Sequence, residues 1–240
     1  MYSESHRPST LIDIIGHAEA KDILCSYLRS NPSSQSVLIS GTPGIGKTTL
    51  VLAAARQCEY EPLEINASRS LRSHEDVSKL RDSCRSPMSF TSFFKYDKPR
   101  KTCVILDEVD GSDPHAQRKI LEWVKDPERK VPILFTANEI PVIFKRATEN
   151  VIIHRCMPLN AKTLYETLNK FLNMDFTDFQ VLVKECQHDV RRILYRAQYG
   201  ISDKPSVVTM TGDCIIDPLR QEQMFYKSSP IARGLETIEI

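Results

Sequence analysis

The chain has 240 residues, 41% hydrophobic and 26% charged; this is ordinary globular usage, which sets aside disordered, collagenous and coiled-coil classes and predicts one to two domains with a sizeable core. Lys and Arg number 32 against 31 Asp and Glu, a net charge of +1, so a whole-molecule field strong enough to hold nucleic acid is excluded while a local basic face is not. Nothing approaches the ~18 consecutive apolar residues of a membrane span, and residues 1–10 are polar where a signal peptide would be apolar; no membrane association is expected, and the protein should stay in the compartment where it is made.

In chain order, the apolar run 36–40 (SVLIS) predicts a short buried strand ending in a glycine turn, followed by a helix over 47–58. An extended run lies near 62–67, a charged helix near 73–84, and a turn-rich segment over 85–101. The run 103–106 (CVIL) predicts a second buried strand, 115–124 a helix, and 132–137 (PILFTA) a third strand. Continuous apolar runs alternating with helices argue for a parallel sheet covered on both faces, an α/β core.

From Leu159 the texture is helical only. Asn160 can cap a helix over 161–172 with Leu164, Leu168 and Leu172 on one face, Thr177 a second over 178–185, and Asp189 a third over 190–198, which Gly200 would end. The expected organisation is therefore an α/β core over 1–158, a small all-helical domain over 159–200 and a tail over 201–240, with brief strand (207–210) and helix (219–226) suggestions in the tail. Seven cysteines and six histidines are scattered with no C-x-x-C pair, which reads as reduced thiols in a cytosolic or nuclear setting and predicts no zinc site.

The chemistry concentrates after the first strand. Gly41-Thr42-Pro43-Gly44-Ile45-Gly46-Lys47-Thr48 fits G-x-x-x-x-G-K-[ST] between a buried strand and a helix. Glycines let backbone N–H groups turn inward around phosphate oxygens, Lys47 reaches the terminal phosphates of a nucleotide, Thr48 offers a hydroxyl to Mg2+, and the helix N-terminus favours the anion. The second strand ends in Asp107-Glu108: Asp107 is expected to hold the Mg2+ shell through water and Glu108 to orient and deprotonate the attacking water. Asn138, at the end of the third strand, either bridges the terminal phosphate and that water or is a turn residue. Arg191 either reports the nucleotide to the helical domain or is an exposed helical arginine.

Together these residues resemble an AAA+ P-loop ATPase, and more closely a clamp loader subunit of the replication factor C type. Arg7-Pro8-Ser9-Thr10-Leu11-Ile12-Asp13-Ile14-Ile15-Gly16 resembles the family's RP-x-x-L-x-D-x-x-G opening, which implies that Arg7, Pro8, Ile15 and Gly16 pack around adenine. The string through Thr49 resembles its phosphate loop, Glu64-Ile65-Asn66-Ala67-Ser68 its E-x-N-A-S segment, and Asp107-Glu108-Val109-Asp110-Gly111 the D-E-V-D-G of the large subunit. Ala116, Gln117 and Leu121 repeat part of its A-Q-x-x-L helix; Asn138 falls at sensor 1 and Asp189-x-Arg191 at sensor 2, with His188 where the family has glycine.

Departures from the family are equally specific. Its S-R-C tripeptide, whose arginine reaches a neighbour's ATP, is mimicked by His154-Arg155-Cys156. Arg155-Cys156-Met157-Pro158-Leu159, however, fits the following R-F-x-P-L strand and moves the tripeptide to Glu149-Asn150-Val151. No arginine finger is then supplied; Arg146 is the nearest substitute. Residues 201–240 leave no room for the family's helical collar, which implies either a minimal relative such as a large DNA virus carries or a shortened chain.

The resemblance implies ATP and Mg2+ as cofactors, and other clamp loader subunits, a sliding clamp and primer-template DNA as partners. It also implies an intracellular setting, nuclear in a eukaryote or at a cytoplasmic replication site for a virus. DNA would meet a local basic face: five basic residues against one Asp over 85–101, with Arg118, Lys119 and Lys125 on the following helix. The competing readings are a different AAA+ DNA motor, such as a branch-migration helicase, and a non-hydrolysing, ATP-dependent interaction module.

Overall fold

The buried runs become the strands of one parallel sheet in a computed structural model that describes residues 7–30, 35–88, 90–172 and 174–199. Helix α1 (Ala18–Ser30) precedes β1 (Ser36–Ser40), α2 (Lys47–Gln57) and β2 (Tyr60–Asn66). The short α3 (Ala67–Ser70) and then α4 (His74–Ser83) and α5 (Phe90–Lys95) lead to β3 (Lys101–Asp107). A 3-10 turn (Val109–Gly111), α6 (Pro114–Lys125), β4 (Ile133–Ala137), α7 (Val142–Lys145) and β5 (Val151–Arg155) complete the sheet. Three helices follow: α8 (Ala161–Leu172), α9 (Phe176–Glu185) and α10 (Val190–Tyr199). The expected helix stop at Gly200 and the elements expected at 207–210 and 219–226 lie outside the described residues.

Strand order is β2-β3-β4-β1-β5, every neighbouring pair parallel. β1, β3 and β4 are buried on both faces and divide their side chains between two cores. Val37, Ile39, Cys103 and Ile105 face α1 and α2; Leu38, Val104, Leu106, Ile133 and Phe135 join the buried faces of α4 and α6. This two-sided burial is why the strands read as unbroken apolar runs. Register then decides the site. Asn66 pairs with Asp107 and Ser40 with Ala137, so the ends of β1 to β4 deliver their next residues to one edge, where open α/β sheets place ligands.

Caps explain several boundaries. Ser73 and Asp76 form a capping box at α4, and Asp113 caps α6 with Pro114 at its first position. Asn160 accepts the Thr163 N–H at 2.7 Å. The cap position of α9 is Asp175, not Thr177, because the helix begins two residues earlier, at Phe176, whose partly exposed ring packs edge-on against Tyr165. The segment over 85–101 is less turn-like than expected and contains α5. β5 ends at Arg155 where the sequence suggested that a strand begins: Pro158 has no N–H for a ladder, and the carbonyl of Cys156 packs against Gly41. α8 to α10 share their own core, with Leu164, Phe179, Val183, Cys186 and Ile193 fully buried.

Candidate functional site

The glycine loop leaves β1 and turns into α2 through left-handed backbone at Gly44 (φ 75) and Gly46 (φ 95), conformations that L-residues with a Cβ resist. At Gly46 an added Cβ would meet nothing; at Gly44 it would fall inside the Asp189 carboxylate. The loop is thus pressed against the start of α10, where Val190 N–H also donates to the Gly44 carbonyl at 3.1 Å. Asp189 caps that helix by accepting Arg192 N–H at 3.1 Å. His188, where the family has glycine, takes φ 60, and its Nδ1 lies 2.8 Å from the Leu159 carbonyl. The left-handed backbone explains the glycine preference, and the imidazole contact compensates for its loss here.

Lys47 is 9% exposed, and its ammonium donates to the Gly41 and Thr42 carbonyls and to Asn138 Oδ1, each at 2.9 Å. Burial lowers its pKa, opposed by the field of Asp107, then Asp110. Thr48 donates to Asp107 Oδ1 at 2.8 Å, and the same oxygen accepts from Thr136 Oγ1. Thr136 in turn accepts the Glu108 N–H at 3.2 Å. Glu108 has left-handed backbone (φ 55) and an exposed carboxylate held by Asn66 Nδ2 at 2.9 Å and Ser68 Oγ at 3.3 Å. Gly111 lets this turn approach: a Cβ there would sit 2.7 Å from that of Ser68.

Two hydrogen-bonded sets therefore meet at the start of α2: Lys47 with Asn138, and Thr48 with Asp107, Thr136 and the Glu108 N–H. Their groups fit a nucleotide phosphate with Mg2+: one ammonium and one hydroxyl at a helix N-terminus, with one carboxylate beside the hydroxyl to hold the waters of the ion. Sequence reasoning passed over Thr136, Asp110 and His17, and gave Asn66 and Ser68 no role; Thr136 inside an apolar strand was the available signal.

The N-terminal string reaches the same place. Arg7 donates to Thr49 Oγ1 at 3.2 Å; Ile15 packs on the α8–α10 core, and Gly16 (φ 64) abuts Leu159. His17 Nε2 lies 3.2 Å from the Ile45 carbonyl, and burial lowers its pKa. Pro8 is half-buried and Arg191 exposed in the first turn of α10. Arg146 follows α7 and Arg155 ends β5, both exposed, while Glu149 and Asn150 immediately precede β5. On the basic face, Arg85 pairs with Asp82, Lys95 with Glu61 and Lys119 with Glu122, and Arg100 stacks 4.1 Å over the Tyr96 ring. Arg118 is exposed.

No helix among the described residues is long and apolar enough to cross a membrane. Residues 37–157 match the family profile described as ATPase family associated with various cellular activities (AAA). The replication factor C large subunit of Methanococcus maripaludis (strain C6) is 33% identical over 144 residues, 57% of this chain and 28% of that protein. That of Sulfolobus acidocaldarius is 36% identical over 144 residues, 56% of this chain and 30% of that protein. The chain thus aligns with less than a third of the length of these curated relatives. Among solved structures, the Holliday junction branch migration motor RuvB of Thermotoga maritima superposes with a TM-score of 0.60 over 80% of this chain and 64% of that one. At 15% identity this is a likeness of fold.

Proposed function

Because the chain belongs to the AAA family of ATPases, we propose that its phosphate loop binds ATP with Mg2+ and that Glu108 promotes hydrolysis in a clamp loader assembly, in the part played by a replication factor C large subunit. The observation that carries this reading is that two hydrogen-bonded sets meet at the start of α2: Lys47 with Asn138, and Thr48 with Asp107, which Thr136 links to the Glu108 N–H. Lys47 and the loop N–H groups orient the phosphates, and Asn138 offers an amide beside Lys47. Thr48 would hold the ion through its hydroxyl and Asp107 through water, and the charge of the ion would offset that developing on the phosphoryl oxygens. Glu108, exposed and anchored on one side by Asn66 and Ser68, accepts a proton from the attacking water. Arg7, Pro8, Ile15 and Gly16 flank the adenine end. Residues 1–158 form the ATPase core and 159–200 a helical lid, with Arg191 as its cation toward the nucleotide.

Similarity to the large subunits supports a partner set of other loader subunits, a sliding clamp and primer-template DNA, acting inside the cell. The test is Glu108→Gln beside wild type, with clamp, DNA and partner subunits present: ATP binding should persist and turnover should fall by about 10²-fold or more. Equal, negligible turnover of both proteins would instead support a non-hydrolysing module. Turnover that responds to DNA junctions but never to a clamp would refute the loader reading.

A further inference from the structure

The turn after Glu108 holds a third carboxylate that none of the roles above requires. Asp110 Oδ2 accepts two successive backbone N–H groups across the site, from Asn138 at 3.2 Å and from Glu139 at 3.3 Å. Two adjacent amides converging on one oxygen fix the orientation of the peptide between them. That peptide sets the direction of the Asn138 side chain, whose Oδ1 lies 2.9 Å from the Lys47 ammonium. With Oδ1 engaged by Lys47, the amide N–H pair is what Asn138 has left to offer a phosphate oxygen or a water. The other oxygen of Asp110 is buried with no hydrogen-bond partner among the described residues, an expensive arrangement that packing alone does not require.

We infer that Asp110 is a positioning residue for hydrolysis: it pins the end of β4 so that the Asn138 amide stays beside Lys47, and it ties that amide to the turn carrying Glu108. The inference rests on the ATPase reading above. Asp110 makes no hydrogen bond to Lys47 or Glu108; apart from the field it exerts on Lys47, its influence passes through Asn138, and Asp110→Asn, which removes that field and keeps an acceptor, separates the two. Removing it should let the segment 138–140 turn, leaving the phosphate loop and the Thr48–Asp107 contact as they are.

The test uses the full chain with Asp110→Ala, Asp110→Asn, Asn138→Ala and the double Ala variant. Single-turnover ATP hydrolysis, affinity for a fluorescent ATP analogue, and amide hydrogen exchange at residues 138 and 139 are measured. Asp110→Ala and Asn138→Ala should each slow hydrolysis by about 10- to 100-fold, while nucleotide affinity stays within about threefold. The double variant should be no slower than Asn138→Ala alone, because both changes act on one element. Asp110→Asn restores an oxygen acceptor, so it should recover protection at 138 and 139 and most of the rate, even with a lower melting temperature from its buried, unpaired amide group.

Multiplicative losses in the double variant, parallel losses of affinity and rate, or no recovery in the Asn variant would each overturn the inference. If wild type binds nucleotide and never hydrolyses it, the ATPase reading fails, and exchange alone decides the pinning: unaltered protection at 138 and 139 in Asp110→Ala refutes it.

Discussion

Replacing Gly44 by Ala attacks the seam between the phosphate loop and α10. The new side chain is penalised first by the backbone, since a left-handed residue with a Cβ costs about 1–2 kcal/mol. It is penalised again because the Cβ would occupy the space of the Asp189 carboxylate. Displacing that carboxylate gives up the cap on Arg192 N–H, about 1 kcal/mol, and strains the Val190–Gly44 hydrogen bond, about another 1 kcal/mol. The expected loss is about 3–4 kcal/mol, a fall in melting temperature of roughly 10 °C for a unit of this size. Urea and thermal denaturation of wild type, Gly44→Ala, Asp189→Ala and the double variant measure it. In the Asp189→Ala background the steric part is absent, so Gly44→Ala should cost only its backbone share, and the double variant should be more stable than additivity predicts by about 1–2 kcal/mol. Full additivity would refute the claim that the two residues compete for the same space.

Two further perturbations address charge. Burial, the largest influence, holds the His17 pKa down, helped by Lys21 and opposed by the bond to the Ile45 carbonyl. The folded state therefore prefers neutral imidazole: its contribution is complete above the usual value of about 6.5 and is lost as pH falls through the folded value. Urea denaturation between about pH 7 and pH 5 should show wild type losing more stability than His17→Gln; parallel curves would remove His17 as the cause. On the basic face, Lys119 is already paired with Glu122, at 2.9 Å, while Arg118 is exposed. Arg118→Ala should therefore account for most of the loss of DNA-stimulated turnover seen in Arg118→Ala/Lys119→Ala and should lower the salt dependence by about one phosphate contact. Unchanged stimulation and salt slope would discard that face as a DNA contact.

The sheet was readable because two-sided burial writes itself as short apolar runs, and the glycine loop because its spacing has few other uses. Contacts that cross the sheet left weaker traces. Asn66 reaches Glu108 across 42 positions and Thr136 reaches Asp107 across 29; neither spacing carries a period, and only the strand register brings the partners together. The role of Asp110 was hidden for the same reason, since its partners are backbone groups after a different strand. His188 shows a different limit: the sequence marks only a histidine in the place of a glycine, and the fold reveals the left-handed backbone there and the imidazole that reaches the Leu159 carbonyl. The cap of α9 was misplaced by two residues because Asp175 and Thr177 are both plausible caps, and the packing of Phe176 on Tyr165 favours the earlier start.

The Lys47 ammonium has three N–H donors, and all three already have acceptors within the protein: two carbonyls of its own loop and the amide oxygen of Asn138. An incoming anion must win this lysine in competition with those acceptors, so binding here is an exchange of partners. Weakly basic anions gain little by the trade, whereas the multiply charged end of a nucleoside triphosphate gains a great deal. Discrimination against ambient small anions is thus supplied by the acceptors that already surround the lysine.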